Sequence, residues 1–375
     1  MKLPISRGTA ARQGRGAWPE GTYEDEHGRN GFAGPVSMLY HSHPPTGWTR
    51  IEGPLRPRAG MLFDLATNDL EDPRELPTAL FVGDEISVLL SRRRRAMPYT
   101  YRNIAEDELL YVHRGAGKLV CDYGILRYEE GDYLLLPRGT GYRLLLDGTD
   151  NVFLVIRSHW PIGFPDRGLL GHHAQFDLGV VDTPEPAPAT ATDDGEHELL
   201  LYRKGMTTSV FYSHDPCDVI GWQGTLVPMR LNVRDIRPVA SERLDLPPSA
   251  YATFKAGDNW ICTFTPHPLQ SDPTSAPTPS FHRNVDYDEL FFIVGNEGGW
   301  DIPLGIGGIH PAGVQHGPTL AELSAERDTE RPRFDVTMVT VDTAQPVQPT
   351  AVFESAEISH FGWFAPHAAE AAGKA

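Results

Sequence analysis

The sequence predicts an all-β protein made of two equivalent barrels. Turn-forming residues are abundant, with 37 glycines and 33 prolines among 375 residues, and hydrophobic residues make up 40% of the chain. Short apolar segments bounded by such turns are typical of strands rather than of long helices. The clearest of these segments occupy 79–91, 108–146, 199–205, 251–256, 261–265, 289–295 and 335–343.

An internal repeat indicates that the two halves of the chain share one fold. The first half contains YRNIAEDELLYVHRG (101–115) followed by GDYLLLPRGTGYRL (131–144). The second half contains HRNVDYDELFFIVGN (282–296) followed by GIGGIHPAGVQHGP (305–318). In each copy an Arg-Asn pair precedes Asp-Glu-Leu and an apolar strand, and a Pro-x-Gly turn lies in the next block. A spacing shared over two separate blocks predicts two barrels of the same kind.

This two-block pattern resembles the cupin superfamily, whose small barrels carry metal ligands on two motifs. Two copies imply a bicupin, built from two double-stranded β-helix (jelly-roll) barrels. We therefore divide the chain into 1–181, an N-terminal arm and a metal-free barrel, and 198–375, a metal-binding barrel. The linker at 182–197 is rich in proline, alanine, threonine and acidic residues. Residues 1–60 have little periodicity, so we expect the arm to be irregular.

Three residues of the second copy are predicted to bind a metal: His282, Glu289 and His316. Two imidazoles and one carboxylate on one face of a metal leave other positions open, as in non-haem iron(II) oxygenases. Asp288 is the rival carboxylate. We prefer Glu289 because it aligns with Glu108 of the first copy and matches the cupin spacing.

The first copy lacks both histidines. Tyr101 stands where the second copy has His282, and Tyr142 stands where it has His316. Only Glu108 remains as a possible ligand, and one carboxylate does not hold a transition metal tightly. We expect the first barrel to be metal-free and structural.

His310 is the candidate catalytic residue. It lies six residues before His316 and could act as an acid or base or orient a substrate hydroxyl, while a structural histidine at a turn fits equally well. The other polar candidates are interpreted as surface or turn residues, and the arginine run as a solvated face or a subunit contact. They are His41, His43, His172, His173, His214, Asp215, Cys217 and Arg92–Arg95.

Composition excludes several classes of function. The net charge of −17 argues against binding to nucleic acid or to an anionic membrane. Three scattered cysteines are too few for a disulfide framework or a zinc knuckle. The N-terminus has basic residues but no apolar core, so it is not expected to be a signal peptide. We predict a cytoplasmic protein.

Within the cupins, the chain closely resembles homogentisate 1,2-dioxygenase. The similarity is carried by FHRN (281–284) with Glu289, by HPAGVQHGP (310–318), and by supporting stretches such as SMLYHSHPP (37–45) and YSHDPCDVIGWQGTLVP (212–228). The resemblance implies an Fe(II) enzyme that uses O₂ to open a para-dihydroxylated aromatic ring. It also implies His282, Glu289 and His316 as iron ligands, His310 as an active-site histidine, and a homo-oligomer of trimers paired into hexamers.

The departures from that family lie on the substrate side. Ser280 occupies a position where the family usually has a tyrosine, Gly298 and its neighbours replace a tyrosine and a lysine, and 241–251 contains no histidine. A gentisate-, catechol- or aminophenol-like ring is therefore an alternative substrate. A non-dioxygenase metal-binding cupin, either an isomerase using zinc or manganese or a small-ligand binder, is a further alternative.

Overall fold

The computed structural model describes residues 5–187, 195–276, 280–298, 300, 302–318 and 333–358. Within these ranges the regular secondary structure is almost entirely β-sheet. The strands of the first half are β1 (Tyr23–Gly28), β2 (Val36–His41), β3 (Arg58–Met61), β4 (Thr78–Gly83), β5 (Ile86–Arg93), β6 (Thr100–Asn103), β7 (Asp107–Arg114), β8 (Gly117–Cys121), β9 (Gly124–Tyr128), β10 (Asp132–Leu136), β11 (Gly141–Leu146), β12 (Asn151–Ser158) and β13 (Ile162–Gly163).

The strands of the second half are β14 (His197–Arg203), β15 (Met206–Tyr212), β16 (Met229–Asn232), β17 (Ala252–Ala256), β18 (Asn259–Phe264), β19 (His267–Pro268), β20 (Phe281–Asn284), β21 (Asp288–Asn296), β22 (Ile306–His310), β23 (Arg333–Phe334), β24 (Val336–Thr343) and β25 (Val347–Pro349). Helices are short: α1 (Asn68–Glu71), α2 (Ala351–Ala356) and 3₁₀ turns at Gly168–Leu170, Leu178–Val180, Val233–Asp235 and Pro248–Tyr251.

Each half is organised around a seven-stranded sheet. The order in the first half is β16-β10-β7-β12-β5-β4-β25, and the order in the second is β13-β17-β18-β24-β21-β22-β3. A six-stranded sheet, β15-β14-β6-β11-β8-β9, accompanies the first, and the smaller sheets β2-β1-β20 and β19-β23 accompany the second. This architecture confirms the all-β bicupin that the repeat predicts.

The two large sheets pack back to back through one apolar core. Leu154 and Ile156 from the first half and Leu290, Phe292 and Val341 from the second belong to the same buried cluster. Their strands are covered on both faces, which explains why β7 and β12 are nearly continuous apolar runs rather than alternating patterns. The shared core therefore joins the two halves.

The opposite faces of these sheets line the two barrel interiors, which differ. The first interior is filled by a large buried cluster that includes Leu110, Phe153 and Tyr128. The second interior has a smaller apolar cluster around Phe291 and Ile293. Polar residues occupy the remainder of the second interior, and the candidate site lies there.

Strands from each half also pair with strands of the other half. β1 pairs in parallel with β20, and β3 extends the second half's large sheet beside β22. In return, β14 pairs in parallel with β6, β16 joins β10, and β25 joins β4. The division into 1–181, 182–197 and 198–375 stays a prediction for the folding units, and residues 188–194 of the linker lie outside the described residues.

The expectation of an irregular arm is wrong for three segments of 1–60, which form β1, β2 and β3. The reason is that β1 buries consecutive charged residues, Glu24, Asp25 and Glu26. Such a strand has no alternation of apolar and polar residues from which its conformation could be predicted.

Two residues of the arginine run, Arg92 and Arg93, differ from the expected solvated face, whereas Arg94 and Arg95 are exposed. The Arg92 guanidinium donates to the carbonyls of Asp64 and Leu65, and Arg93 is buried in an ion pair with Asp69 at 3.3 Å. These two arginines bind the backbone before α1 and a carboxylate inside it, so their role in this structure is to hold that segment on β5.

Candidate metal centre

The predicted ligands are brought together by β20, β21 and the turn after β22. His282 lies on β20, Glu289 is the second residue of β21, and His316 follows β22. His282 and His316 exchange two backbone hydrogen bonds, each 3.0 Å from N to O. Their ring centroids are 4.2 Å apart. The backbone pairing therefore fixes both imidazoles on the same side of the chain.

The repeated Pro-x-Gly turn explains how the second histidine reaches this place. The Val314 amide donates to the carbonyl of Pro311 at 3.1 Å, and Gly313 has a φ of 78°. Glycine adopts this left-handed backbone conformation without strain because it has no Cβ. The first half has the same turn, with Gly139 at a φ of 89°. The turn thus precedes His316 and Tyr142 at the same spacing in the two halves.

The ligand atoms of His282, Glu289 and His316 all lie within 4.8 Å of one another. The Nδ1 atom of His282 donates to the Ser280 carbonyl at 2.7 Å, and Nδ1 of His316 donates to the Val314 carbonyl at 3.0 Å. These bonds leave both Nε2 atoms as the lone-pair nitrogens. The buried Nε2 of His316 has no hydrogen-bond partner among the described residues. This donor set fits a divalent metal.

The electrostatics keep these groups in the forms that metal binding requires. Burial and the neighbouring His310 and His282 hold the pKa of His316 well below its usual range, so its imidazole is neutral. Burial alone would raise the pKa of Glu289, but the neighbouring histidines, above all the hydrogen bond from His310, lower it to about 2. A carboxylate and a neutral imidazole are therefore available together at neutral pH.

His310 lies against the centre, as the sequence predicts for an active-site residue. Its Nδ1 is 3.0 Å from Oε1 of Glu289, the residue directly opposite it on β21. Its ring stacks on His316 at 4.1 Å and on Phe291 at 5.0 Å. A role in catalysis stays a prediction, whereas its contact with Glu289 is a feature of the structure.

Asp342 completes a row of side chains that sequence reasoning missed. On neighbouring strands, Trp260, Asp342, Glu289 and His310 occupy directly opposed positions. Asp342 is 3% exposed, and both burial and the Glu289 carboxylate raise its pKa. The sequence offers one indication of this position, because Asp342 is an acidic residue near the end of the apolar strand 335–343.

Comparison with known proteins finds sequence similarity to dioxygenases. No family model matches the chain. Over 341 residues it is 28% identical to a Saccharolobus solfataricus protein provisionally named a dioxygenase, covering 87% of this chain and 88% of that one. It is 24% identical over 296 residues to homogentisate 1,2-dioxygenase of Pseudomonas putida and 29% identical over 244 residues to that of Rhizobium johnstonii. The chain is similar in sequence to homogentisate 1,2-dioxygenases.

The extent of the similarity differs between these homologues. The alignments cover 73% and 60% of this chain, and they span 67% and 52% of the Pseudomonas and Rhizobium enzymes. Among solved structures, the E. coli protein Ylba matches with a TM-score of 0.35 and 10% identity, covering 81% of this chain and 97% of its own. A Bacillus subtilis oxalate decarboxylase matches with a TM-score of 0.35 and 11% identity, covering 80% of each chain.

The N-terminal arm supplies one wall of the centre. Phe32 is buried with its ring edge-on to His282, the two ring centroids 5.6 Å apart. Asn30, Gly31 and Phe32 have consecutive positive φ values of 52°, 59° and 63°. Since such backbone is strained for residues other than glycine, other contacts must hold it. The Asp286 carboxylate does so, accepting from Arg29 at 2.8 Å and from the Asn30 amide at 2.7 Å.

Gly28 is required for this wall. A Cβ at position 28 would lie 2.1 Å from the Phe32 ring. Gly28→Ala is expected to push the ring from its place and to lower the free energy of unfolding by about 1–3 kcal/mol, as measured by urea denaturation. Gly148→Ala is the control, because no atom lies within 4 Å of the added methyl. Equal stability of the two variants would contradict this account.

In the first barrel, an arginine guanidinium lies beside Glu108, the residue that aligns with Glu289. Glu108 accepts a hydrogen bond from Tyr142 Oη at 2.9 Å and from Arg157 Nε at 2.7 Å. Arg157 also donates to Tyr101 Oη at 3.0 Å. Among the described residues, the cation beside the first-barrel glutamate is thus an arginine side chain. The tyrosines that replace the histidines are part of this network.

The remaining candidates lie elsewhere. Asp288, the rival ligand, accepts backbone hydrogen bonds from Ala312 at 2.8 Å and Val347 at 3.2 Å, so its carboxylate serves the sheet edge. His41 lies 3.6 Å from Asp25, and exposed His173 pairs with Asp177. His43, His172, His214, Asp215 and Cys217 do not join a metal-ligating group within the described part of the chain. In that same part, no helix is long and apolar enough to cross a membrane.

Proposed function

We propose that this protein is an Fe(II)-dependent ring-cleaving dioxygenase acting on a hydroquinone-type aromatic, homogentisate or a close relative. The observation that carries the proposal is the convergence of His282, Glu289 and His316 in a chain similar in sequence to dioxygenases. These three residues would hold the iron and leave coordination positions open. When bound, iron would supply electron transfer between an electron-rich ring and O₂.

The protein's own groups would position the substrate and move its proton. His310 donates from Nδ1 to Glu289, so its Nε2 is the atom that would take the proton of a ring hydroxyl. Phe32 beside His282 and Phe291 beside His310 offer apolar surface on two sides of the centre. A planar aromatic ring suits such walls, because aromatic contacts add to the apolar area buried.

The proposal includes the expected setting of the enzyme. Its partners would be a small aromatic substrate and O₂, with no nucleic acid or membrane partner. We propose a cytoplasmic homo-oligomer, a trimer or hexamer by resemblance to the family. Residues 1–181 would provide the arm and a metal-free barrel, and 198–375 the metal-binding barrel.

Oxygen uptake tests the proposal directly. Protein loaded anaerobically with Fe(II) is offered homogentisate, gentisate, hydroquinone, catechol and 3-hydroxyanthranilate, with iron-free protein as the control. We expect uptake with a para-dihydroxylated ring. Uptake only with another ring would keep the iron chemistry and replace the substrate. Silence across the panel with stoichiometric iron bound would overturn the assignment to this reaction.

A further inference from the structure

We propose that Asp342 is a positioning residue that sets the affinity of the second barrel for its metal. Arg157 holds the equivalent position in the first barrel, which lacks both histidines. This inference rests on the metal centre of the proposed function. It goes beyond the three ligands, because it assigns part of the metal affinity to a position outside the ligand set.

The strand registers make the two positions equivalent. Asp342 on β24 lies directly opposite Glu289 on β21, and Arg157 on β12 lies directly opposite Glu108 on β7. Both are buried, with exposures of 3% and 5%. The internal repeat aligns the two glutamates, so their cross-strand partners correspond as well.

The charges at these positions are opposite. In the first barrel, Arg157 neutralises Glu108 at 2.7 Å. In the second barrel, the ion pairs of Glu289 among the described residues are with His310 and His316, and Asp342 pairs with none of the described cationic side chains. A divalent metal held by Glu289 would place a cation next to Asp342, which lies directly opposite Glu289 on the neighbouring strand.

One oxygen of the Asp342 carboxyl group, Oδ1, is buried and lacks a hydrogen-bond partner among the described residues. Trp260, the next residue of the row, directs its indole N–H to Tyr287 Oη at 3.2 Å instead. A buried carboxyl oxygen without a partner is best explained by an interaction that the bound cation completes.

Metal titration of the purified protein is the test. Metal-free wild-type and Asp342→Asn proteins are titrated calorimetrically with Mn(II), and their thermal unfolding is followed without metal. We expect Asp342→Asn to raise the Kd about 10–100-fold, the usual loss when a group supporting a metal ligand is removed. Its metal-free melting temperature should not fall, because asparagine is close to aspartic acid in size and can both donate and accept hydrogen bonds.

Asp69→Asn is the matched control. Asp69 is a buried acid of the first half, paired with Arg93. This variant should lose stability and keep the wild-type Kd. An unchanged Kd for Asp342→Asn, or a lower melting temperature without a change in Kd, would overturn the inference and assign Asp342 a purely structural role.

Asp342→Arg gives a second readout, since it copies the residue that the chain already carries beside Glu108. We expect a folded protein, by circular dichroism and gel filtration, that binds no Mn(II). Wild-type stoichiometry in this variant would overturn the inference, and the asparagine variant decides if the arginine variant does not fold. Failure of the wild-type protein itself to bind metal would instead remove the proposed metal centre and with it the basis of this inference.

Discussion

Replacing His316 by alanine is expected to strip the protein of iron and to abolish oxygen uptake. His316 is buried, its Nε2 has no hydrogen-bond partner among the described residues, and it lies 3.8 Å from the Glu289 carboxylate. Removing a direct ligand should weaken metal binding by more than the roughly 10–100-fold that accompanies loss of a supporting group. Iron per chain, measured by elemental analysis after anaerobic loading, should approach zero.

The control for this variant is His214→Ala. His214 is an exposed histidine that contacts Tyr212 and lies outside the candidate centre. Iron content and turnover should match the wild type in this control. A His316→Ala protein with full iron and normal turnover would contradict the ligand assignment, whatever the substrate proves to be.

Arg157→Met is expected to produce the largest loss of stability, about 3–5 kcal/mol in the free energy of unfolding. The substitution leaves Glu108 buried at 2% exposure without its cation. Of the described hydrogen-bond partners of this carboxylate, the two tyrosine hydroxyls and the Asn103 amide would remain. Urea denaturation followed by tryptophan fluorescence measures the loss. Iron content should be unaffected in the molecules that remain folded.

The double variant Glu108→Gln, Arg157→Met separates the charge from the packing. Because it removes both members of the ion pair, it should recover most of the stability that Arg157→Met loses. A loss of about 1 kcal/mol or less for Arg157→Met alone would be typical of an exposed pair. That result would mean that the guanidinium is not the cation on which the first barrel depends.

The bicupin fold and the grouping of the ligands were accessible from sequence because they are encoded in short contiguous blocks. The Asp-Glu-Leu strand and the Pro-x-Gly turn occur twice, and each copy carries its own turn chemistry and apolar pattern. Once two copies are aligned, His282, Glu289 and His316 follow from their positions. The homogentisate dioxygenase resemblance is confirmed by the homologues.

The contributions that cross between the halves were not accessible in the same way. Phe32 contacts His282, which is distant from it in sequence. The strand before Phe32 has buried acids that hide its periodicity. The loop that carries Phe32 has a strained backbone that no sequence pattern predicts. The positions of Asp342 and Arg157 opposite the two glutamates follow from the strand registers, which the sequence alone does not give. Contacts between distant segments depend on which strands pair and in which register, and local propensity predicts neither.

The most direct test of the central claim is the fate of oxygen atoms from ¹⁸O₂ when the iron-loaded protein turns over a para-dihydroxylated ring. The account predicts a ring-opened product that carries both atoms of one O₂ molecule, formed without an added reductant and absent with His316→Ala. An intact ring, or a product that contains no atom from ¹⁸O₂, would contradict it.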